Sequence, residues 1–305
     1  MIRYFALILL SFAFFYSASY GAELDYIGDV GASAKTISIG NVEGFSNSAA
    51  SVFENPASLC LAKDFSVSLF QTKFLMDEFV FGAYSVSKKT DIGTFAIGYT
   101  ALSVSGIKHT GENQYSEYYS IDTFSANNSI IKAGYQFYAA DKISVGVGLS
   151  YFHNKIYTYK GTGFNADAGV FLNYKPTSIS ISGKNILKML KIKYTDAGEE
   201  SAPTQLRLGV KHEIGDLDLY AQLMLPGIGK KYLKAGGLIY QPGFLSDFIY
   251  ISAGLKEIQL LNKVYSKASI GVGLELNIVN VHFAYEKSDY YLQDNQYYLS
   301  TNITI

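Results

Sequence analysis

The residue types that most often carry catalysis or bind metal are few in this chain, and their spacing suits neither task. The chain has one cysteine and four scattered histidines, no two of which have the helical or strand spacing of metal ligands: His109, His153, His212 and His282. Its many serines include no Gly-x-Ser-x-Gly elbow of the kind that presents a hydrolase nucleophile. The sequence therefore predicts no catalytic residues, no metal site and no cofactor, and hence a protein that is not an enzyme.

Charged side chains offer a second kind of chemistry. Six of them fall on the polar face of segments that alternate between polar and apolar residues: Lys132, Asp167, Arg207, Lys211, Glu213 and Glu275. In a barrel this face lines a wet lumen, where charges pair with each other or contact a solute. Pairing is the commoner role, and contact with a substrate stays open as the alternative. Apolar residues at other inward positions, Phe152 and Phe171, favour an amphipathic solute over a simple ion.

The segments that contain these residues have the two-residue repeat that is typical of β-strands. From Asp64 to the C-terminus, apolar residues recur at every second position. In residues 142–154, for example, Val145, Val147 and Leu149 share one face, while serines and glycines occupy much of the other. A soluble β-sandwich and a membrane barrel both alternate in this way, so the alternation by itself leaves both open.

The lengths of the connections separate these two folds. Fourteen candidate strands are joined alternately by short turns, near residues 88–91, 138–141, 175–176, 215, 242–246 and 277–279, and by connections that include all the long polar loops, 105–128, 187–204, 257–266 and 287–296. Nothing in the architecture of a β-sandwich requires short and long connections to alternate along the chain. An outer-membrane barrel does have this alternation, because its periplasmic turns are short and its outer loops are longer. We therefore predict an all-β fold: a transmembrane, antiparallel, up-and-down β-barrel over residues 64–305, in the bacterial outer membrane with both termini periplasmic.

The first 21 residues have the features of an export signal. Arg3 precedes an apolar run over residues 4–16, and small residues follow, with the best cleavage point after Gly21. The full chain has 26 Tyr and 20 Phe but no Trp, so interfacial aromatic girdles must be built from Tyr and Phe. A formal net charge of −1 gives no basic footprint for nucleic acid. The bilayer is the expected partner.

Residues 22–63 do not alternate and form a separate N-terminal segment. We expect Ser46 to cap a short helix through Phe53, and Asn55 to cap a second one with Pro56 at its first position. A bore of about fourteen strands lies between barrels filled by their own side chains and open porins, so it needs a filler. The segment is predicted to be a short helical plug (hatch) in the bore; a disordered periplasmic tail is the alternative.

Several motifs resemble those of a known superfamily. Asn55, Pro56, Ala57 and Leu59 match the Asn-Pro-Ala-Gly-Leu hatch motif of the FadL-like outer-membrane fatty-acid transporters, with Ser58 in place of the glycine. Residues 203–210 (PTQLRLGV) and 163–169 (GFNADAG) resemble strands of the PorV/PorQ-like branch. The resemblance implies a hatched barrel for passive uptake or binding of a hydrophobic or amphipathic small molecule. The alternatives are a PorV-like accessory barrel with a secretion partner protein, or a structural outer-membrane protein.

Overall fold

The computed structural model describes residues 30–74, 79–112, 115, 118–195, 198–225, 232–243, 248–260, 263–288 and 295–305. The predicted signal, residues 1–21, lies outside this part of the chain. Fourteen of the strands form the wall: β1 Phe65–Phe74, β2 Phe79–Thr90, β3 Gly93–Glu112, β4 Tyr118–Ala140, β5 Ile143–Ile156, β6 Tyr159–Tyr174, β7 Thr177–Lys184, β10 Gln205–Ile214, β11 Leu217–Leu225, β12 Leu233–Tyr240, β13 Ile249–Leu260, β14 Lys263–Glu275, β15 Val279–Ser288 and β16 Gln296–Thr304.

The wall is a closed antiparallel barrel. Each strand pairs with its neighbour along the chain, and β1 also pairs with β16, for example at Ser66 and Thr304. Closure leaves no free sheet edge among these fourteen strands, which is the condition for a β-structure to sit in lipid. The prediction of an all-β, antiparallel barrel of about fourteen strands is confirmed.

The predicted outer loops are shorter than expected. Residues 105–112 and 118–128 continue β3 and β4, which stay paired as far as Glu112 and Tyr118 with irregularities after Val104 and His109. Residues 105–112 and 118–127 of this extension are exposed or half-buried on both faces, so they do not alternate between polar and apolar, and the strand period is hidden. Residues 187–204 likewise contain two short strands, β8 Ile192–Tyr194 and β9 Glu199–Glu200, which pair with each other and extend the sheet from β6.

The two faces of the wall differ as the alternation predicts. On β5, Val147 is 49% exposed on the outer face, while Ser144 and Ser150 are buried on the inner face. The outer face carries a wide belt of exposed apolar side chains, including Leu69, Ile97, Ile131, Leu149, Phe164, Leu208, Leu223, Leu255, Ile270, Phe283 and Leu299. Among the described residues, no helix has the length and apolar character needed to cross a membrane.

Residues 34–61 of the N-terminal segment include three short helical pieces: α1 Ala34–Ser38, α2 Ser51–Glu54 and a 3-10 helix at Pro56–Leu61. The expected cap by Ser46 is wrong, because α2 begins after Ala50 without a side-chain cap and the Ser46 hydroxyl instead donates to Glu54. Asn55 does cap the 3-10 helix with Pro56 at its start, as predicted.

Candidate functional site in the barrel interior

Inward-facing glycines let the N-terminal segment approach the wall closely. A Cβ added at Gly146 on β5 would overlap the backbone of Pro56 and Ala57, and one at Gly254 on β13 would overlap the backbone at Gly40. Only a residue without a side chain permits such contact between two backbones. The glycines on the polar faces of the strands therefore make room for residues 30–63, which lie inside the barrel against its wall.

Asn55 joins the segment to the wall by its side chain. Its Oδ1 accepts from Ala57 N at 2.9 Å, which is the helix cap. Its Nδ2 donates to Ser180 Oγ at 2.9 Å, to Ile181 O at 3.2 Å and to Val170 O at 3.3 Å. Since Asn55 is fully buried, both ends of the amide are satisfied by protein groups.

Pro56, Ala57 and Leu59 of the same motif are also buried. Ala57 O accepts from Ser144 Oγ at 2.8 Å, and the Leu59 side chain belongs to the largest apolar cluster of the interior. The four matched residues of the motif thus form one contact area on the β4–β7 side of the wall.

Glu54 connects the two halves of the segment. Its Oε1 accepts from Thr36 Oγ1 at 2.8 Å and from Ser46 Oγ at 2.7 Å, and its Oε2 accepts from Gly44 N at 2.9 Å. Burial raises the pKa of this carboxyl, and the nearby Glu43 adds to the effect. Without Glu54, α1 and α2 would lose the buried polar group that ties them together.

Three of the six predicted lumen-facing charges lie in one buried cluster. Lys132 on β4 pairs with Asp167 on β6. The two strands are separated by β5, where Gly148 lies directly opposite Asp167 and has no side chain to stand between the two charged groups. Arg207 on β10 pairs with Glu43 of the N-terminal segment. Glu43 also accepts from Lys184 at 2.5 Å.

The other three lie apart from this cluster, near the short connections. Lys211 Nζ is 2.9 Å from carboxylate oxygens of both Glu213 and Asp218. Glu275 Oε1 is 2.6 Å from Lys35 Nζ on α1. All six predicted charges are therefore in ion pairs, two of them with the N-terminal segment. Among the described residues, no three His, Cys, Asp or Glu side chains are grouped as a metal site would require.

A partly open cavity of about 80 Å³ lies in the bore beside this cluster. On β5, Gly146 contacts the N-terminal segment, whereas Ser150 and Phe152, farther from the short turn that precedes β5, line the cavity. Its lining comes from the N-terminal segment, from the wall and from the base of the β7–β10 connection: Gly31, Ala32, Glu43, Phe53, Phe81, Thr100, Ile130, Lys132, Ser150, Phe152, Lys184, Asn185, Pro203 and Gln205.

The barrel with its internal segment is similar to solved transporter structures. The chain matches the toluene transporter TbuX of Ralstonia pickettii with a TM-score of 0.60 and 12% identity, over 90% of this chain and 98% of that one. It matches the toluene transporter TodX of Pseudomonas putida with a TM-score of 0.57 and 12% identity, over 89% and 96%. A FadL homologue of Pseudomonas aeruginosa gives a TM-score of 0.56 and 11% identity, over 89% and 98%.

These proteins share the fold of this chain. At 11–12% identity the similarity extends to the fold alone. No family model matches the sequence, and no curated protein matches it.

Sequence reasoning missed two residues of the cluster. Lys184 could have been found, because it follows Ser178, Ser180 and Ser182 at every second position on the inner face of β7. Glu43 had no such signal, since it lies in the segment without a period. Only the tertiary structure brings it to Lys184 and Arg207.

Proposed function

We propose that this chain is an outer-membrane barrel for the passive entry of hydrophobic or amphipathic small molecules. The exposed apolar belt around a closed barrel supports residence in lipid, because monomeric soluble proteins rarely expose apolar patches above a few hundred Å². The observation that carries the transport role is a cavity with both apolar and charged lining inside that barrel. The fold shared with two toluene transporters is in agreement.

In this proposal the N-terminal segment is the gate. It crosses the bore from α1, which packs on β13–β16, to the 3-10 helix, which packs on β3–β6. Its covalent connection to the wall is the chain that leads from the 3-10 helix into β1, and polar contacts of Asn55, Glu43 and Lys35 hold it against strands of the wall. Such contacts can be exchanged for water when the segment moves, since the net contribution of one hydrogen bond is only about 0.5–1.5 kcal/mol.

Deleting residues 25–61 tests the gate. Barrel stability comes from closed strand pairing and from the lipid-facing surface, so the deleted protein should still fold but leak. In planar bilayers we expect low conductance for the intact chain and a large, steady conductance for the deletion, with far-UV circular dichroism as the check on folding. If the deletion variant folds but conducts no better than the intact chain, then the bore is closed by side chains of the wall or by the outer connections and not by the N-terminal segment.

The orientation in the membrane is a further part of the proposal. With both termini periplasmic, the 141–142 turn faces the periplasm and the tip of the β3–β4 hairpin faces the medium. We expect a membrane-impermeant maleimide to label a cysteine at Tyr115, but not one at Asp141, on intact cells carrying Cys60→Ser. Both positions are exposed, so labelling of Asp141 alone would mean the opposite orientation.

Placement in the PorV/PorQ-like branch, with a secretion partner, is a finer proposal that rests on the sequence motifs. The structure gives residues 203–210 a local role that needs no partner: Pro203 and Gln205 line the cavity, Arg207 pairs with Glu43, and Gly209 admits Phe45. We therefore favour the transport role, and we propose that the chain has no catalytic activity.

A further inference from the structure

We propose that the cavity binds a compact amphipathic anion, a carboxylate carrying one ring or a short branched chain. The inference rests on the proposed transport function and gives the class of its solute. The cavity has an apolar side and a polar side, and each has features that a neutral hydrocarbon or a simple ion would not use.

The apolar side is formed by four side chains. Phe81, Ile130 and Phe152 come from β2, β4 and β5, and Phe53 comes from α2 of the N-terminal segment. Ile130 lies directly opposite Phe152 on the paired strand. Three aromatic rings and an isoleucine give a surface for an apolar group, and Phe53 makes the gate itself part of that surface.

The polar side presents donors that the protein does not use. Lys132 and Lys184 are 8% and 9% exposed, and each lines the cavity. Among the described residues each has one hydrogen-bond acceptor, Asp167 for Lys132 and Glu43 for Lys184. An ammonium group has three donors and no acceptor, so two donors on each lysine remain for a bound group that accepts.

Ser150 adds an independent observation. Its side chain is 2% exposed, its Oγ has no hydrogen-bond partner, and it lines the cavity. It lies directly opposite Lys132 on the paired strand. A buried hydroxyl without a partner costs about 1–3 kcal/mol, and a ligand that accepts its hydrogen bond would remove that cost.

The chemistry of these donors selects a carboxylate. An ionised carboxylate only accepts and has about four lone-pair sites, which matches two ammonium groups and a hydroxyl. Hydrogen bonds between charged partners are also roughly twice as strong as those between neutral groups. Glu43, the acidic residue in the lining, accepts from both Lys184 and Arg207, so its charge is already paired.

The size of the cavity restricts the apolar part of the ligand. A dry cavity of about 150 Å³ holds benzene, and this partly open one has about 80 Å³. The apolar side can therefore take at most one ring or a short branched chain, and a ring must also use the open mouth of the cavity or displace side chains. A long acyl chain cannot be enclosed.

The test compares benzoate with its neutral analogue benzamide on the full chain in detergent, by titration calorimetry at neutral pH. We expect benzoate to bind at least about tenfold more tightly than benzamide, because the lysine and serine donors meet a charged acceptor. Ser150→Ala should weaken benzoate about tenfold and benzamide clearly less, because a hydrogen bond to a neutral carbonyl is weaker than one to a carboxylate. The matched control is Ser87→Ala, which removes another buried hydroxyl without a partner, away from the cavity.

Equal affinity for the two compounds, or an unchanged benzoate affinity in folded Ser150→Ala, would overturn the inference. Entry of each compound into liposomes containing the protein separates this failure from failure of the proposed function. Equal entry of both compounds, without discrimination in binding, would overturn only the anion assignment. Entry of neither compound, in protein shown to be folded, would overturn the transport role and the anion assignment with it.

Discussion

At the residue scale, the side chain of Asn55 has two roles: its oxygen caps the 3-10 helix, and its nitrogen donates to the barrel wall. The sequence motif alone does not show that both roles are present. The cap needs only an acceptor, and Asp serves as well as Asn at such positions in general. The opposite end of the amide, however, donates to the carbonyls of Val170 and Ile181. Asparagine is therefore required here by the wall rather than by the helix.

This distinction gives an order of stability that the capping preference alone does not predict. Asn55→Ala should cost about 1 kcal/mol for the cap, and more for the lost bonds to the wall. Asn55→Asp should be worse, because its carboxylate oxygen faces two carbonyl oxygens that it cannot donate to. The frequency of brief openings in planar bilayers should rise from wild type to Ala to Asp. Wild-type behaviour of Asn55→Asp would mean that the bonds to the wall are dispensable.

At the element scale, the inward faces of the strands are shaped for the segment they hold. On β5, Gly146 touches the backbone of the N-terminal segment, whereas a Cβ added at Gly148 meets Asp167 Cβ at 3.5 Å, an ordinary contact. Two glycines two positions apart on one strand thus have different tasks. The neighbouring Gly148 is a matched control for Gly146.

Gly146→Ala should loosen the 3-10 helix, and the chain has one native reporter of that change. Burial raises the pKa of Cys60 to about 11, so little reactive thiolate is present at neutral pH. Release to an ordinary thiol pKa would increase the thiolate fraction by about a hundredfold. We expect faster maleimide labelling of Cys60 in Gly146→Ala than in Gly148→Ala. Equal labelling rates in the two variants would mean that the close contact at Gly146 does not help to hold the N-terminal segment in place.

At the scale of the whole molecule, the barrel reverses the usual arrangement of a soluble protein. Its exposed belt is apolar, while its interior holds buried ion pairs such as that of Glu286 with Lys256 and Lys267, at 2.8 and 2.9 Å. In the proposed location lipid would solvate the apolar belt, and the ion pairs would replace water in the lumen. The same strand satisfies both environments because its side chains alternate.

A charge on the outer face measures that environment. Val147→Arg should lower the free energy of unfolding from lipid vesicles by about 2–4 kcal/mol if the residue lies near the midplane. Gly148→Ser, on the inner face of the same strand, should have a much smaller effect because its Cβ fits. Urea titrations of the two variants provide the comparison. Similar losses would contradict the assignment of the outer face to lipid.

The sequence by itself determined the wall. Period-two alternation holds in the strands that have an exposed apolar outer face and a buried inner face, so fold class, strand number and the orientation of Val147 could all be predicted. It failed at residues 105–112 and 118–127, which are exposed or half-buried on both faces of the paired strands, so that no pattern is imposed. It also assigned Asn55 its cap, because capping depends on residues adjacent in the chain.

Only the tertiary structure decided what the interior does. Glu43 meets Lys184 across 141 residues of sequence, and the alternation pattern that identifies strand partners is absent from the N-terminal segment that contains Glu43. The cavity has the same origin, since its lining joins the N-terminal segment to β2–β5, β7 and the start of β10. Closure of the barrel brings together side chains from strands that are far apart in sequence. Closure depends on the pairing of all the strands, so no local stretch of sequence predicts these contacts.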